Sequence, residues 1–299
     1  MRSPFSGPAV ILLSLHLQPS NFFKMKIGVD LGGTNIRACL INEQQIVKIN
    51  KVPLENKDNL DNTLQQIISL INSVHDDKIT GIGIGVPSVV DLEKGIVYDV
   101  VNIPSWKVVP LKDILEKEFN VPVFINNDVN CFIMGEKHFG VAKDYLNIVG
   151  ITIGTGIGSG IITNGKLYSG ANCGAGEIGY LPYLDHDLEY YCSSNFFDKV
   201  HNTTAYDTFL KAEKNDARAL QIWNEFGHHM GIAIKSVMYA FDPEMIILGG
   251  SISGAYQFFK DQMYQTMSDT YFPKSVEKLK ICLSEVENVS MLGAASLVE

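Results

Sequence analysis

Asn126-Asn127-Asp128 closes a short apolar run, Val123–Asn126, and opens a segment with helical spacing, Asp128–His138. Asn and Asp are the residue types that cap helices, because their side-chain oxygens accept hydrogen bonds from the first free backbone N–H groups. A carboxylate mounted where a strand ends and a helix begins also has a chemical use. Asp128 can accept the proton of a substrate hydroxyl while that hydroxyl takes up a phosphoryl group. Asn127 can hold a neighbouring hydroxyl, and capping is compatible with both roles.

A phosphoryl donor needs a cradle, and two glycine turns supply candidates. Asp30-Leu-Gly-Gly-Thr34 and Ile153-Gly-Thr-Gly156 each follow an apolar strand and each carry a hydroxyl. Glycine lets backbone N–H groups approach a phosphate where a side chain would block them. Gly32, Gly33, Thr34, Thr155 and Gly156 are therefore candidate phosphate contacts. Asp30 precedes the first turn, and a carboxylate beside a triphosphate meets Mg²⁺, often through water. The plainer alternative is that Asp30 caps the turn. Better-known phosphate sites do not match. There is no Gly-Lys-[Ser/Thr] run for a P-loop, and neither His-Arg-Asp nor Asp-Phe-Gly for a protein kinase. A dinucleotide fold needs a helix after its glycine turn, whereas Arg37–Leu40 and Ile161–Thr163 read as extended.

The elements that must hold these turns alternate along the chain. Lys26–Asp30, Ile36–Ile41, Gln45–Val52, Thr80–Val86 and Val123–Asn126 read as strands, and Leu60–Val74 and Leu111–Phe119 as helices. A second series has strands at Asn147–Ile153, Gly160–Thr163, Met245–Leu248 and Lys280–Leu283, with Gly154–Gly160 as a glycine-rich turn. Its helices are Ala217–Tyr239, Tyr256–Thr266 and Met291–Val298. Two copies of one plan predict an α/β protein of two lobes with a cleft between them. The expected division is an N-terminal lobe over 25–126, joined by the returning segment 286–299, and a larger C-terminal lobe over 127–285.

The 299 residues are 46% apolar and 19% charged, enough for a sizeable core. With 24 basic against 33 acidic side chains, the net charge of −9 argues against a nucleic-acid or anionic-membrane surface. Five cysteines, an odd and scattered set, do not form a disulfide framework. No apolar run reaches the roughly 18–20 residues of a membrane span. Residues 1–24 differ in character and read as an N-terminal extension, disordered or a start assigned too early, without a convincing signal-peptide cleavage site. The expected location is the cytoplasm.

Taken together, these segments resemble the ROK family (repressor, open reading frame, kinase) of the hexokinase/actin-like ATPase superfamily. Val29-Asp-Leu-Gly-Gly-Thr-Asn-Ile-Arg37 and Ile151-Thr-Ile-Gly-Thr-Gly-Ile-Gly-Ser-Gly160 resemble its two phosphate elements. Gly85-Val-Pro-Ser88, Val101-Asn-Ile-Pro-Ser-Trp106 and Gly174-Ala-Gly-Glu-Ile-Gly179 resemble its sugar-side loops. Asn127-Asp-Val-Asn-Cys131 resembles the catalytic segment, Ile247-Leu-Gly-Gly-Ser251 the adenosine-side turn, and Leu292-Gly-Ala-Ala295 the closing helix. The resemblance implies a two-lobed actin-like ATPase (ribonuclease H-like) fold, a homodimer, and ATP- and Mg²⁺-dependent phosphorylation of a sugar hydroxyl. It makes Asp128 the base, sets Asn102, Asn127 and Glu177 on the sugar, and turns Gly249 and Gly250 toward adenosine. Trp106 is expected at the substrate edge.

Two departures stand out. The family carries His after Glu-Ile-Gly, then Cys-x-Cys-Gly-x-x-Gly-Cys-Leu-Glu, which together make a structural zinc site. Here the His position is Tyr180, and only Cys192 survives of the cysteines. One thiolate cannot make a four-ligand site, so no zinc is expected; Phe196 and Phe197 read as an apolar replacement. Allowing one deletion, the last Glu aligns with Asp198, which with Tyr180 completes the expected sugar contacts. A changed set of polar groups predicts a changed sugar preference, with glucose, an N-acetylhexosamine or fructose all open. Glucokinase-like activity is the leading expectation. The alternative is a non-catalytic or weakly active sugar sensor, since the family's repressors share the fold.

Overall fold

The computed structural model describes residues 25–298; the expectation for residues 1–24 lies outside the described residues. β1 (Met25–Leu31), β2 (Asn35–Asn42) and β3 (Gln45–Pro53) form an antiparallel meander. α1 (Leu60–Val74) leads to β4 (Ile79–Val86), parallel to β1. A small sheet of β5 (Val90–Asp91), β6 (Ile96–Tyr98) and β7 (Val108–Val109), then α2 (Leu111–Phe119), precede β8 (Val123–Asn127), which joins β4 in parallel. After α3 (Asp128–Phe139) the plan repeats. β9 (Ile148–Ile153), β10 (Ile157–Thr163) and β11 (Lys166–Leu167) make a second antiparallel meander.

The hairpin β12 (Pro182–Tyr183) and β13 (His186–Asp187) comes next, followed by the helices α4 (Leu188–Cys192), α5 (Ala205–Ala212) and α6 (Ala217–Phe241). β14 (Met245–Gly249) pairs in parallel with β9. After α7 (Tyr256–Ser268) and α8 (Pro273–Lys278), β15 (Lys280–Leu283) pairs with β14, and α9 (Val289–Ala295) follows. The strand orders β3-β2-β1-β4-β8 and β11-β10-β9-β14-β15 are one topology used twice.

α3 and α9 tie the two sheets together, each packing on the sheet it did not come from. α3 leaves β8 yet lies on β9 and β10, where Gly150, Gly158 and Gly160 leave room for Phe132, Ile133 and Val129. α9 follows β15 yet lies on β1 and β4, its backbone against Gly28 and Gly83. Where the helices cross, Gly293 meets the Cys131 carbonyl and Gly135 meets that of Val289. A methyl group at either glycine would overlap backbone, which cannot swing aside. Gly293→Ala is therefore expected to cost about 3 kcal/mol or more, outweighing the roughly 1 kcal/mol that alanine normally gains over glycine in a helix. Urea denaturation of the two proteins checks this.

The same contacts correct the reading of Gly154–Gly160 as one turn. Only Gly154–Gly156 turns. Gly158 and Gly160 belong to β10, and they are glycine because α3 approaches them closely. Trp106 is likewise not at the substrate edge. It is fully buried in the N-terminal core, and its Nε1 donates to Thr63 Oγ1 at 2.8 Å.

Candidate active site

Asp128 is the first residue of α3. Asn127 caps the helix, its Oδ1 accepting from the backbone N–H groups of Val129 (2.8 Å) and Asn130 (3.3 Å). That leaves its Nδ2, held among the described residues only by a long 3.5 Å bond to the Ser88 carbonyl, to meet a ligand. Gly85 in β4 lets the Asp128 backbone come close beneath it. Burial pushes the Asp128 carboxyl up to about 7, with the negative charges of Asp30 and Glu177 adding to the rise and the Val129 N–H opposing it. A carboxylate that holds its proton this readily is suited to act as a base near neutral pH.

Asp30 stands directly across the β1–β2 ladder from Arg37. The guanidinium donates to Asp30 Oδ2 through Nε (3.0 Å) and Nη2. No hydrogen bond from the described residues reaches Oδ1. A carboxylate oxygen left free on a charge-balanced side chain is a suitable hard donor for Mg²⁺ or its water shell. Asn102 lies over Gly33, whose missing side chain makes room for it. Lys57 ties these parts together, its ammonium donating to the Gly33 carbonyl and its own carbonyl accepting from the Ser105 N–H at 3.2 Å. Thr34 is exposed beyond Gly32 and Gly33, as Thr155 is beyond Gly154.

The second turn meets a carboxylate that the sequence reading passed over. Glu189, on α4, lays Oε2 over Gly156 and accepts from the Ile157 N–H at 3.3 Å. Burial raises its pKa. Burial also raises that of Glu177, with Glu189 the charge that adds to it. Tyr180, 66% exposed at the rim, has its phenol pKa raised by burial and then by Glu189 and Glu177. Asp30, Asp128, Glu177 and Glu189 thus form a chain of mutually repelling carboxyls. Such a chain is relieved by hydroxyl donors or a cation.

Asp198 is not part of this group. Its side chain is 62% exposed and pairs with Lys199 at 2.6 Å. The Leu188-Glu189 dipeptide was the available signal. It repeats the last two residues of the family's Cys-Leu-Glu, with Asp187 in place of Cys, and the alignment through a one-residue deletion obscured it.

Between Tyr180 and Glu189 the chain makes only the short hairpin β12–β13. Behind it Tyr183 OH meets His229 Nδ1 at 3.0 Å, and Cys192, Phe196 and Phe197 are fully buried. Phe196 and Phe197 pack on Phe226, and Phe197 also packs on Trp223. Among the described residues, no three His, Cys, Asp or Glu side chains gather as a metal cage.

Gly249 and Gly250 adjoin the second turn. Gly250 takes φ +85° and seats on the Ile153 backbone, while Ser251 faces Gly154. Beyond Ser251 opens a cavity of about 310 Å³ whose walls include Tyr206, Phe209, Trp223, Ile252 and Ala255. Its lining from α5 and α6 could not be assigned to a site from sequence, since those side chains converge only in the fold. A larger space of about 500 Å³, between β3 and α1, is lined by polar residues such as Asn50, Asn62 and Gln66 and lies away from these groups.

The ROK family model matches residues 26–299. The chain is 31% identical to a glucokinase of Thermotoga maritima, over 91% of this chain and 96% of the glucokinase. It is also 31% identical to a xylose repressor of Bacillus spizizenii, over 74% of this chain and 61% of the repressor. Among solved structures, a ROK family glucokinase from Streptomyces griseus, in complex with glucose and AMPPNP, superposes with a TM-score of 0.77 at 23% identity, covering 92% of this chain and 99% of that one. The fold is the two-lobed actin-like ATPase architecture, and the chain belongs to the ROK family.

Proposed function

We propose that the protein is an ATP-dependent sugar kinase. The observation that carries this reading is Asp128, held near neutrality at a helix start, with Asn102 and the first glycine turn on one side and Glu177, Glu189 and the second turn on the other. Sugar hydroxyls would be held by Asn102, the weakly held Nδ2 of Asn127, Glu177, Glu189 and Tyr180. The triphosphate would lie on Gly32–Thr34 and Gly154–Gly156, with the nucleoside running past Gly249–Ser251 into the 310 Å³ cavity.

As the sugar oxygen attacks the γ-phosphorus, its proton passes to Asp128 and the bond to the β–γ bridging oxygen breaks, releasing ADP. Mg²⁺, held through Asp30 and water, would supply charge neutralisation at the phosphates. A non-catalytic sugar sensor is the second reading, and the xylose repressor relatives favour it. ADP release with Mg-ATP across glucose, mannose, fructose, N-acetylglucosamine and N-acetylmannosamine separates the two. Turnover on one sugar is the expected result. Sugar binding without ADP release from any of them would support the sensor.

A further inference from the structure

The segment 169–177 carries Glu177 and has two anchors. At one end Gly176, at φ +97°, packs on β10, and its carbonyl accepts from the Ser159 N–H (3.1 Å) and Oγ (2.8 Å). Near its middle, Cys173 takes φ +59°, a conformation unusual for a side-chain-bearing residue. Cys173 is 2% exposed and packs in the apolar cluster of the N-terminal lobe, every other buried member of which lies between Ile27 and Ile125.

Within that apolar setting the thiol also meets polar groups. It donates to Asn126 Oδ1 at 3.3 Å, and Asn130 Nδ2 lies 3.7 Å from the sulfur. Asn130 Nδ2 also donates to the same Asn126 oxygen at 2.9 Å. Burial raises the Cys173 pKa, against the opposing effect of the backbone N–H groups of Asn127 and Val90, which face the sulfur. These contacts flank Asp128 on both sides in sequence.

We propose that segment 169–177 is a strap between the lobes and that Cys173 is its positioning residue, joining the Glu177 side of the cleft to the Asn126–Asn130 segment that carries the base. The inference rests on the sugar-kinase reading for its catalytic consequence, though not for its structural one. With Cys173 held by the Asn126–Asn130 segment and Gly176 by β10, Glu177 keeps its place relative to Asp128. The sugar-binding groups beside Asp128 are then held in register. The thiol acts as a small, neutral donor and acceptor packed in an apolar setting, a role serine fills approximately and alanine does not.

The test compares Cys173→Ala and Cys173→Ser with wild type by steady-state kinetics and by amide hydrogen exchange. Alanine removes one of the three hydrogen bonds that Asn126 Oδ1 accepts and leaves a gap in the apolar cluster, so the sugar KM is expected to rise about tenfold with the ATP KM nearly unchanged. Amides in 88–92, 126–130 and 169–177 are expected to exchange faster together, with the rest of the fold unaffected. Serine should recover both readouts to within about threefold. Unchanged exchange at 126–130 in Cys173→Ala overturns the strap. Faster exchange with an unchanged sugar KM overturns its positioning role. Exchange needs no turnover, so a wild type that phosphorylates no sugar counts against the kinase reading while the exchange result still decides the strap.

Discussion

Asp128→Asn is expected to lose at least about a thousandfold in sugar-dependent ADP release while gaining stability above neutral pH. The loss follows from chemistry. Asparagine keeps the size and the hydrogen bond from Val129 N–H but cannot take the sugar proton. Substrate KM values should change little, because the variant removes a group whose main work is in the transition state. The same carboxyl should set the pH dependence. The base works only when ionised, so wild-type kcat/KM for the sugar should fall as pH drops through about 7 and level off above it.

The stability gain has the opposite chemical origin. Burial disfavours the ionised Asp128 in the folded protein far more than in the unfolded chain. A carboxyl held near 7 instead of at its ordinary 3.8 destabilises the ionised fold by up to about 4 kcal/mol. Because the side chain keeps some contact with solvent, water screens part of this, and a gain of about 1–3 kcal/mol is the reasonable expectation for the variant. The folded state binds the extra proton between pH 4 and 7, so wild-type stability from this group falls as pH rises through that window. The variant should therefore melt with wild type near pH 4 and above it at pH 8. Equal melting at both pH values would mean that Asp128 is not held at a raised pKa, and undiminished turnover would remove it as the base.

Much of this arrangement was legible because it is local. The apolar spacing of Leu60, Leu64, Ile67, Ile68 and Ile71 marks α1 as it stands in the fold, and Asn127 announces the start of α3 by its residue type. The glycine turns are readable for the same reason, since each lies within a few residues of its strand. What could not be read depends on contacts across long stretches of chain. Gly158 and Gly160 look like turn residues until Val129 is known to pack on them. Trp106 sits in a sugar-side motif, yet its indole turns inward to Thr63, a partner 43 positions away. Asp198 and Glu189 are both acidic residues near the lost zinc motif; the Leu188-Glu189 dipeptide hinted at the second, and the fold shows that it is Glu189 that approaches Glu177.

That last distinction carries the second large effect. Glu189→Gln and Glu177→Gln should each raise the sugar KM or cut kcat/KM by about a hundredfold, whereas Asp198→Asn should stay within about twofold of wild type. The difference comes from surroundings, not from residue type. Glu189 is partly buried, accepts from Ile157 N–H beside Gly156, and repels Glu177, so a sugar hydroxyl that donates to it relieves an existing electrostatic cost. Asp198 is exposed and already paired with Lys199, so it has no comparable gain to offer a ligand. Measuring all three variants against the sugar that the wild type prefers makes the comparison internal. A hundredfold loss in Asp198→Asn with Glu189→Gln near wild type would return the sugar contact to the position aligned from sequence. It would also require the short helical segment Phe196–Val200 to move toward the cleft when sugar binds.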